Sequence, residues 1–137
     1  MNIKWITKKY KDAIIVYSPE VLGILSVFEG QIYCQVYPGY VDTNLKMTYD
    51  ESTTFFDTID EAKEGLARYN QEIEFKLDGT QYVCDKVFGN ITKENDQWCA
   101  NFHIFTSRFP TFEEAQQKLI TICMEMTNQC LPDFNDT

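Results

Sequence analysis

Phe56-Asp57-Thr58-Ile59-Asp60-Glu61-Ala62, followed by Leu66, returns later in the chain as Phe109-Pro110-Thr111-Phe112-Glu113-Glu114-Ala115, followed by Leu119. Five of the eleven positions from Phe56 to Leu66 are identical in the second copy: Phe, Thr, Glu, Ala and Leu. Each copy places Thr-x-x-Glu ahead of an apolar run. That is a capping box, in which the Thr hydroxyl accepts from the third helical N–H and the Glu reaches back to the cap. The pattern predicts one helix after Thr58, with Ile59, Ala62, Leu66 and Tyr69 inward. A second follows Thr111, with Phe112, Ala115, Leu119, Ile122, Cys123 and Met126 on one stripe.

The echo continues upstream. Tyr33-Cys34 before Tyr37 matches Trp98-Cys99 before Phe102, and Val21-Leu22-Gly23 matches Val87-Phe88-Gly89. The offset is 66 at the glycines, 65 at the cysteines and 53 at the helix starts, so the match needs gaps. The expectation is an α+β protein of two tandem β-rich repeats, each closed by a C-terminal α-helix, related by a pseudo-two-fold. It would be one compact domain over 1–137, with a first repeat over 1–70 and a second over 71–137. The F-x-T-x-x-E-A motif identifies no family, because capping physics recurs wherever helices begin.

Strand signals fill both halves. Ile3 and Trp5 open the first strand, Lys9 to Asp12 read as a turn, and Ala13 to Tyr17 form a β-branched run stopped by Ser18-Pro19. Ile24–Phe28 and Gln31–Tyr37 flank the hairpin signal Glu29-Gly30, and Ile73–Leu77 and Thr80–Cys84 flank Asp78-Gly79. Val87–Thr92 and Gln97–Phe105 flank Lys93 to Asp96. Connections this short join antiparallel strands, since parallel ones need longer crossovers. Tyr33, Tyr37, Trp98, Phe102 and Phe105 have the period-two spacing of a core face.

The first half carries about twelve extra residues, an insertion over 38–52 that holds Tyr40, Asp42, Met47, Tyr49, Asp50 and Glu51. One structural reading makes it an added hairpin, Asn44–Tyr49 pairing with Ser52–Asp57. A functional reading makes Tyr37, Tyr40, Asp42, Tyr49, Asp50 and Glu51 a partner-binding surface, tyrosine giving area and carboxylates giving steering.

The 44% hydrophobic and 15% aromatic content is that of a folded chain. Met1 to Lys11 lacks the apolar stretch of a signal peptide and no run reaches the ~20 residues of a membrane span, so the cytoplasm is expected. Five unclustered cysteines, at 34, 84, 99, 123 and 130, argue against a disulfide framework. Net charge is −9. Residues 42–78 hold ten acids against four bases, which disfavours direct nucleic-acid and anionic-membrane binding. Lys4, Lys8, Lys9 and Lys11 guard the first strand edge or meet the acidic middle of another copy, so self-association stays open.

Chemistry leaves little trace. His103 and Cys99 share a strand four positions apart, about 13 Å at ~3.3 Å per residue, too far for a nucleophile–base pair. Paired metal-ligand spacings, a calcium loop, a glycine-rich phosphate loop and a G-x-S-x-G elbow are all missing, and no cofactor is expected. The reading is therefore a non-enzymatic acidic binding or inhibitory module, acting on a protein partner whose basic surface it masks. The alternative is a small-molecule binder or enzyme with an aromatic pocket between the halves.

Overall fold

The computed structural model describes residues 2–48 and 54–134. Contacts divide the chain into two units, Met1–Glu72 with Met124–Thr137, and Ile73–Cys123. The fold is α+β: two antiparallel sheets, each followed by a helix. Among the described residues, no helix is long and apolar enough to cross a membrane.

In the first unit the sheet runs β1 (Ile6–Tyr10), β2 (Ala13–Tyr17), β3 (Ile24–Phe28), β4 (Gln31–Val36), β5 (Gly39–Val41) and β6 (Met47–Thr48) in sequence order. A last strand, β7 (Phe55–Phe56), returns to pair with β4. Helix α1 (Ile59–Gln71) follows. It starts where the capping box puts it, with the Glu61 N–H donating to Thr58 Oγ1 at 3.0 Å. Its inner face is Ala62, Gly65, Leu66 and Tyr69. These residues cover the sheet face carrying Leu25, Cys34 and Val36, where the Cys34 thiol donates to the Ala62 carbonyl at 3.7 Å.

The second unit is a simple meander, β8 (Lys76–Asp78), β9 (Gln81–Cys84), β10 (Val87–Glu94), β11 (Gln97–Phe102) and β12 (Phe105–Phe109), leading to α2 (Phe112–Asn128). The last residues of α2, from Met124, belong to the first unit. The Thr111 hydroxyl caps α2, accepting from the Glu114 N–H at 3.2 Å and donating to its carboxylate at 2.9 Å. Trp98 and Tyr82 pack edge-on against Phe112 at the start of this helix.

The two units share their internal register. Hairpin β3–β4 pairs Ile24 with Gln35 through Phe28 with Gln31, and β10–β11 pairs Asn90 with Asn101 through Glu94 with Gln97. Both turns, Glu29-Gly30 and Asn95-Asp96, have positive φ at both central residues, as the twist-matched two-residue hairpin requires. A constant offset of 66 maps one hairpin onto the other without a gap. It also maps Val16↔Leu25 onto Tyr82↔Ile91.

Helix seating matches as well. Gly23 (φ +128) and Gly89 (φ +107) leave no room for a Cβ, which would lie 2.5 Å from Leu66 Cδ1 and 2.9 Å from Leu119 Cδ2 respectively. Four residues beyond each leucine, a side chain reaches the carbonyl just before the glycine. Asn70 Nδ2 donates to the Leu22 carbonyl at 2.9 Å, and the Cys123 thiol lies 3.9 Å from the Phe88 carbonyl. Asn70 does more: its Oδ1 accepts from the Leu22 N–H at 2.8 Å, and Nδ2 also donates to the Leu66 carbonyl at 2.8 Å.

Several expectations need correcting. The match of Tyr33-Cys34 with Trp98-Cys99 is one residue out. Cys34 lies under α1, whereas Trp98 lies under α2 and Cys99 on the opposite face, beside Arg108 and Glu94. The structural counterpart of Cys34 is Ala100, paired with Ile91 as Cys34 is paired with Leu25. The expected strand from Gln97 to Phe105 breaks at His103 (φ 54) and Ile104, which form a tight turn closed by Phe102 and Phe105. Phe105, expected in the core, is 69% exposed. Lys93 and Glu94 belong to β10, and Lys9 belongs to β1, leaving Lys11-Asp12 as the first turn. Ile3 and Trp5 precede that strand.

The added hairpin of the insertion is also differently paired. Met47–Thr48 pairs back onto Gly39–Val41, and Phe55–Phe56 pairs with β4 rather than with the segment after Asn44. The rest of that expectation, from Tyr49 to Thr53, lies outside the described residues.

Asn70 satisfies both backbone groups of Leu22, so Asn70→Leu strands a donor and an acceptor at the helix–loop junction. We expect a loss of about 2–4 kcal/mol in urea denaturation, against about 1 kcal/mol for Thr58→Ala at the exposed cap. A loss at Asn70 no larger than at Thr58 would contradict the role given to this side chain.

Candidate functional site

Alternation along β4 sends Cys34 and Val36 under α1 and turns Tyr33 and Gln35 to the opposite face. On that face the neighbouring strands contribute Tyr40, paired with Gln35, and Phe55, paired with Tyr33. The three rings meet edge to face. Tyr33 lies 6.3 Å from Tyr40 and 6.2 Å from Phe55, centroid to centroid. Phe55 is 43% exposed and the tyrosines are half-buried. Three aromatic side chains therefore form a strip across β7, β4 and β5 on the sheet face away from α1.

A cavity of about 130 Å³ adjoins this strip, lined by Gln35, Tyr37, Pro38 and Tyr40 with Thr127 and Cys130. Its floor is held by a buried contact: the Tyr37 N–H donates to Thr127 Oγ1 at 2.8 Å. Thr127 is almost fully buried, and the Tyr37–Pro38 peptide is cis. The volume is below the ~300–1,000 Å³ usual for small-molecule sites, so it suits one side chain better than a metabolite.

Of the six residues read as a contact surface, the structure describes three. Tyr40 is in the strip, and Tyr37 lines the cavity beside it. Asp42 has a structural task, since its Oδ1 accepts from the N–H groups of Asn44 at 2.9 Å and Lys46 at 3.0 Å and so shapes the turn between β5 and β6. Tyr49, Asp50 and Glu51 lie outside the described residues. Tyr33 and Phe55 were missed because period-two spacing does not say which sheet face a helix covers. The signal that separates them is Cys34, whose alternation with Tyr33 fixes both once either side is known.

In the second unit, the face of the sheet away from α2 is polar. Asn101 Nδ2 donates to Asn90 Oδ1 at 2.9 Å and Thr92 Oγ1 at 3.0 Å, while its Oδ1 accepts from the Thr106 hydroxyl at 2.9 Å. Cys99 has Arg108 Nη1 at 3.5 Å and Glu94 Oε2 at 3.9 Å as its neighbours, and Arg108 pairs with Glu94 at 3.5 Å. His103 packs its ring on Phe102 and Phe88 instead. Among the described residues, no three His, Cys, Asp or Glu side chains gather as metal ligands.

Compared with protein-family models, curated proteins and solved structures, the chain matches none.

Two outcomes follow. Thr127→Val keeps the shape of the buried side chain but leaves the Tyr37 N–H unpaired, and should cost about 1–3 kcal/mol by urea denaturation. Burial pushes the Cys34 thiol from 9.0 up to about 12. The folded state keeps this proton where the unfolded chain releases it. The contribution is intact below pH 9.0 and is lost as pH rises through about 12. Cys34→Ala should therefore flatten the alkaline fall in stability above pH 9.0, read from denaturation midpoints at a series of pH values.

Proposed function

We propose that this chain is a non-enzymatic binding module that acts by occupying a protein partner, with the β4–β5–β7 strip as its contact. The observation that carries the reading is the edge-to-face cluster of Tyr33, Tyr40 and Phe55, set on a rigid sheet beside a side-chain-sized cavity. Aromatic side chains that remain solvent-accessible on a fixed scaffold are the typical anchors of protein interfaces. Tyr37, Asp42, Tyr49, Asp50 and Glu51 complete the proposed contact in sequence. The net charge of −9 supports a partner with a basic surface, approached by long-range steering and masked once bound. Five unpaired cysteines support action in a reducing compartment such as the cytoplasm.

The same reading includes an origin by duplication, with 1–137 as one domain of two related halves. Its support is the shared hairpin register, the paired positive-φ glycines and the equivalent helix contacts of Leu66 and Leu119. Under this proposal the inserted segment over 38–52 is what distinguishes the first copy and adapts it to binding.

The test is capture of partners from nuclease-treated lysate of the source organism on immobilised wild-type chain, beside Tyr40→Ala and Phe55→Ser. A protein retained in stoichiometric amount, released by salt and weakened about tenfold or more by either substitution is expected. Retention unchanged in both variants would sink this placement of the contact.

A further inference from the structure

We infer that β12 is a self-association edge, at which two copies of this chain join antiparallel about a two-fold axis through Ser107. Among the described residues, β12 pairs on one side only, with β11. Phe102 and Phe105 close a two-residue hairpin, so they exchange both backbone bonds, and alternation gives the same bonding to Ala100–Ser107 and Trp98–Phe109. The N–H and C=O groups of Thr106 and Arg108 therefore point away from β11. They form an open ladder on a strand whose outer residues are exposed.

Strand β1, an outer strand of the larger unit, and β12 are protected unequally. Strand β1 presents exposed Thr7, Lys8 and Lys9, the usual charged guard of an edge. Strand β12 has one cation, Arg108, already paired with Glu94 at 3.5 Å. It starts instead beside the two most exposed large apolar side chains among the described residues, Ile104 at 91% in the preceding turn and Phe105 at 69% on the strand itself.

A second copy fits this edge because the strand complements itself. With Ser107 opposite Ser107 of the other copy, Thr106 and Arg108 face each other in both directions, and their outward groups make four backbone bonds. Phe105 then lies opposite Phe109, which is itself paired with Trp98, so an exposed ring gains an aromatic neighbour. A serine on the axis keeps the close, non-bonded pair free of bulk. Ile104 meets Pro110, and the ladder stops there because proline has no N–H to donate. An interface of this size belongs to the weak, concentration-dependent class. Because each copy carries a net charge of −9, screening strengthens the pairing, whereas it weakens attachment to a basic partner.

Sedimentation equilibrium on the purified full chain, over a concentration series at low and high salt, tests this. The expected result is a mean mass rising from 16.0 kDa toward twice that value, with the rise steeper at high salt. Phe105→Lys and Thr106→Pro should both hold the single-chain mass while keeping the wild-type circular dichroism. Phe105 is a surface side chain, so its replacement reports on pairing even if the proline variant fails to fold. A wild-type chain that stays at single mass throughout would overturn the inference and leave the edge free for an extended peptide. Variants that associate like wild type would also overturn it, placing the contact elsewhere.

Discussion

Each unit depends on one close approach, a helix leucine packed onto a glycine that has positive φ where the hairpin begins. Leu66 on Gly23 and Leu119 on Gly89 bring the helix axis nearer to the sheet than any residue with a side chain would permit. Burial of the remaining inner face follows from that distance. Ala62 and Ala115 are fully buried, and the small residues Cys34 and Ala100, also buried, sit on the strands the helices cover. The capping threonines set where each helix starts, and so which residue reaches the glycine about two turns later.

Fixing the helix to one side of the sheet decides what the other side is free to do. In the first unit that side gathers Tyr33, Tyr40 and Phe55 across three strands, an arrangement in which no two rings are adjacent in sequence. Strand β4 makes this possible by pairing with β5 along its second half and with β7 along its first. In the second unit the corresponding side is a hydrogen-bonded polar ladder centred on Asn101. Two sheets whose central hairpins share one register thus carry different chemistry on their outer faces, where no helix has to pack.

Much of the fold was legible in the chain, and the reasons are local. The capping threonines and the Glu29-Gly30 hairpin depend only on residues within a turn of one another, so pattern and structure agree there. The turn at His103-Ile104 was not legible from composition, since neither residue is a usual turn former; its one trace is the three-residue step from Phe102 to Phe105, which breaks period-two spacing. The cysteine alignment failed because a gap was allowed where the hairpin register permits none. Gly23 and Gly89 stood out as a repeated feature, yet their partners, 43 and 30 residues away, are visible only once the helices are seated. Of the residues read as a contact, Tyr40 lies in the aromatic strip and Tyr37 beside its cavity, while the Asp42 carboxylate also shapes its own turn, which the sequence pattern did not indicate.

The most direct measurement is a double-mutant cycle on Gly23→Ala and Leu66→Ala by urea denaturation. The three heavy atoms nearest to an added Cβ at Gly23 all belong to the Leu66 side chain, so removing that side chain relieves part of the clash. Gly23→Ala is expected to be destabilising alone, and Leu66→Ala to cost less in its presence, by about 1 kcal/mol or more of coupling. Strictly additive losses, or a Gly23→Ala chain as stable as wild type, would contradict the contact on which the first unit is built.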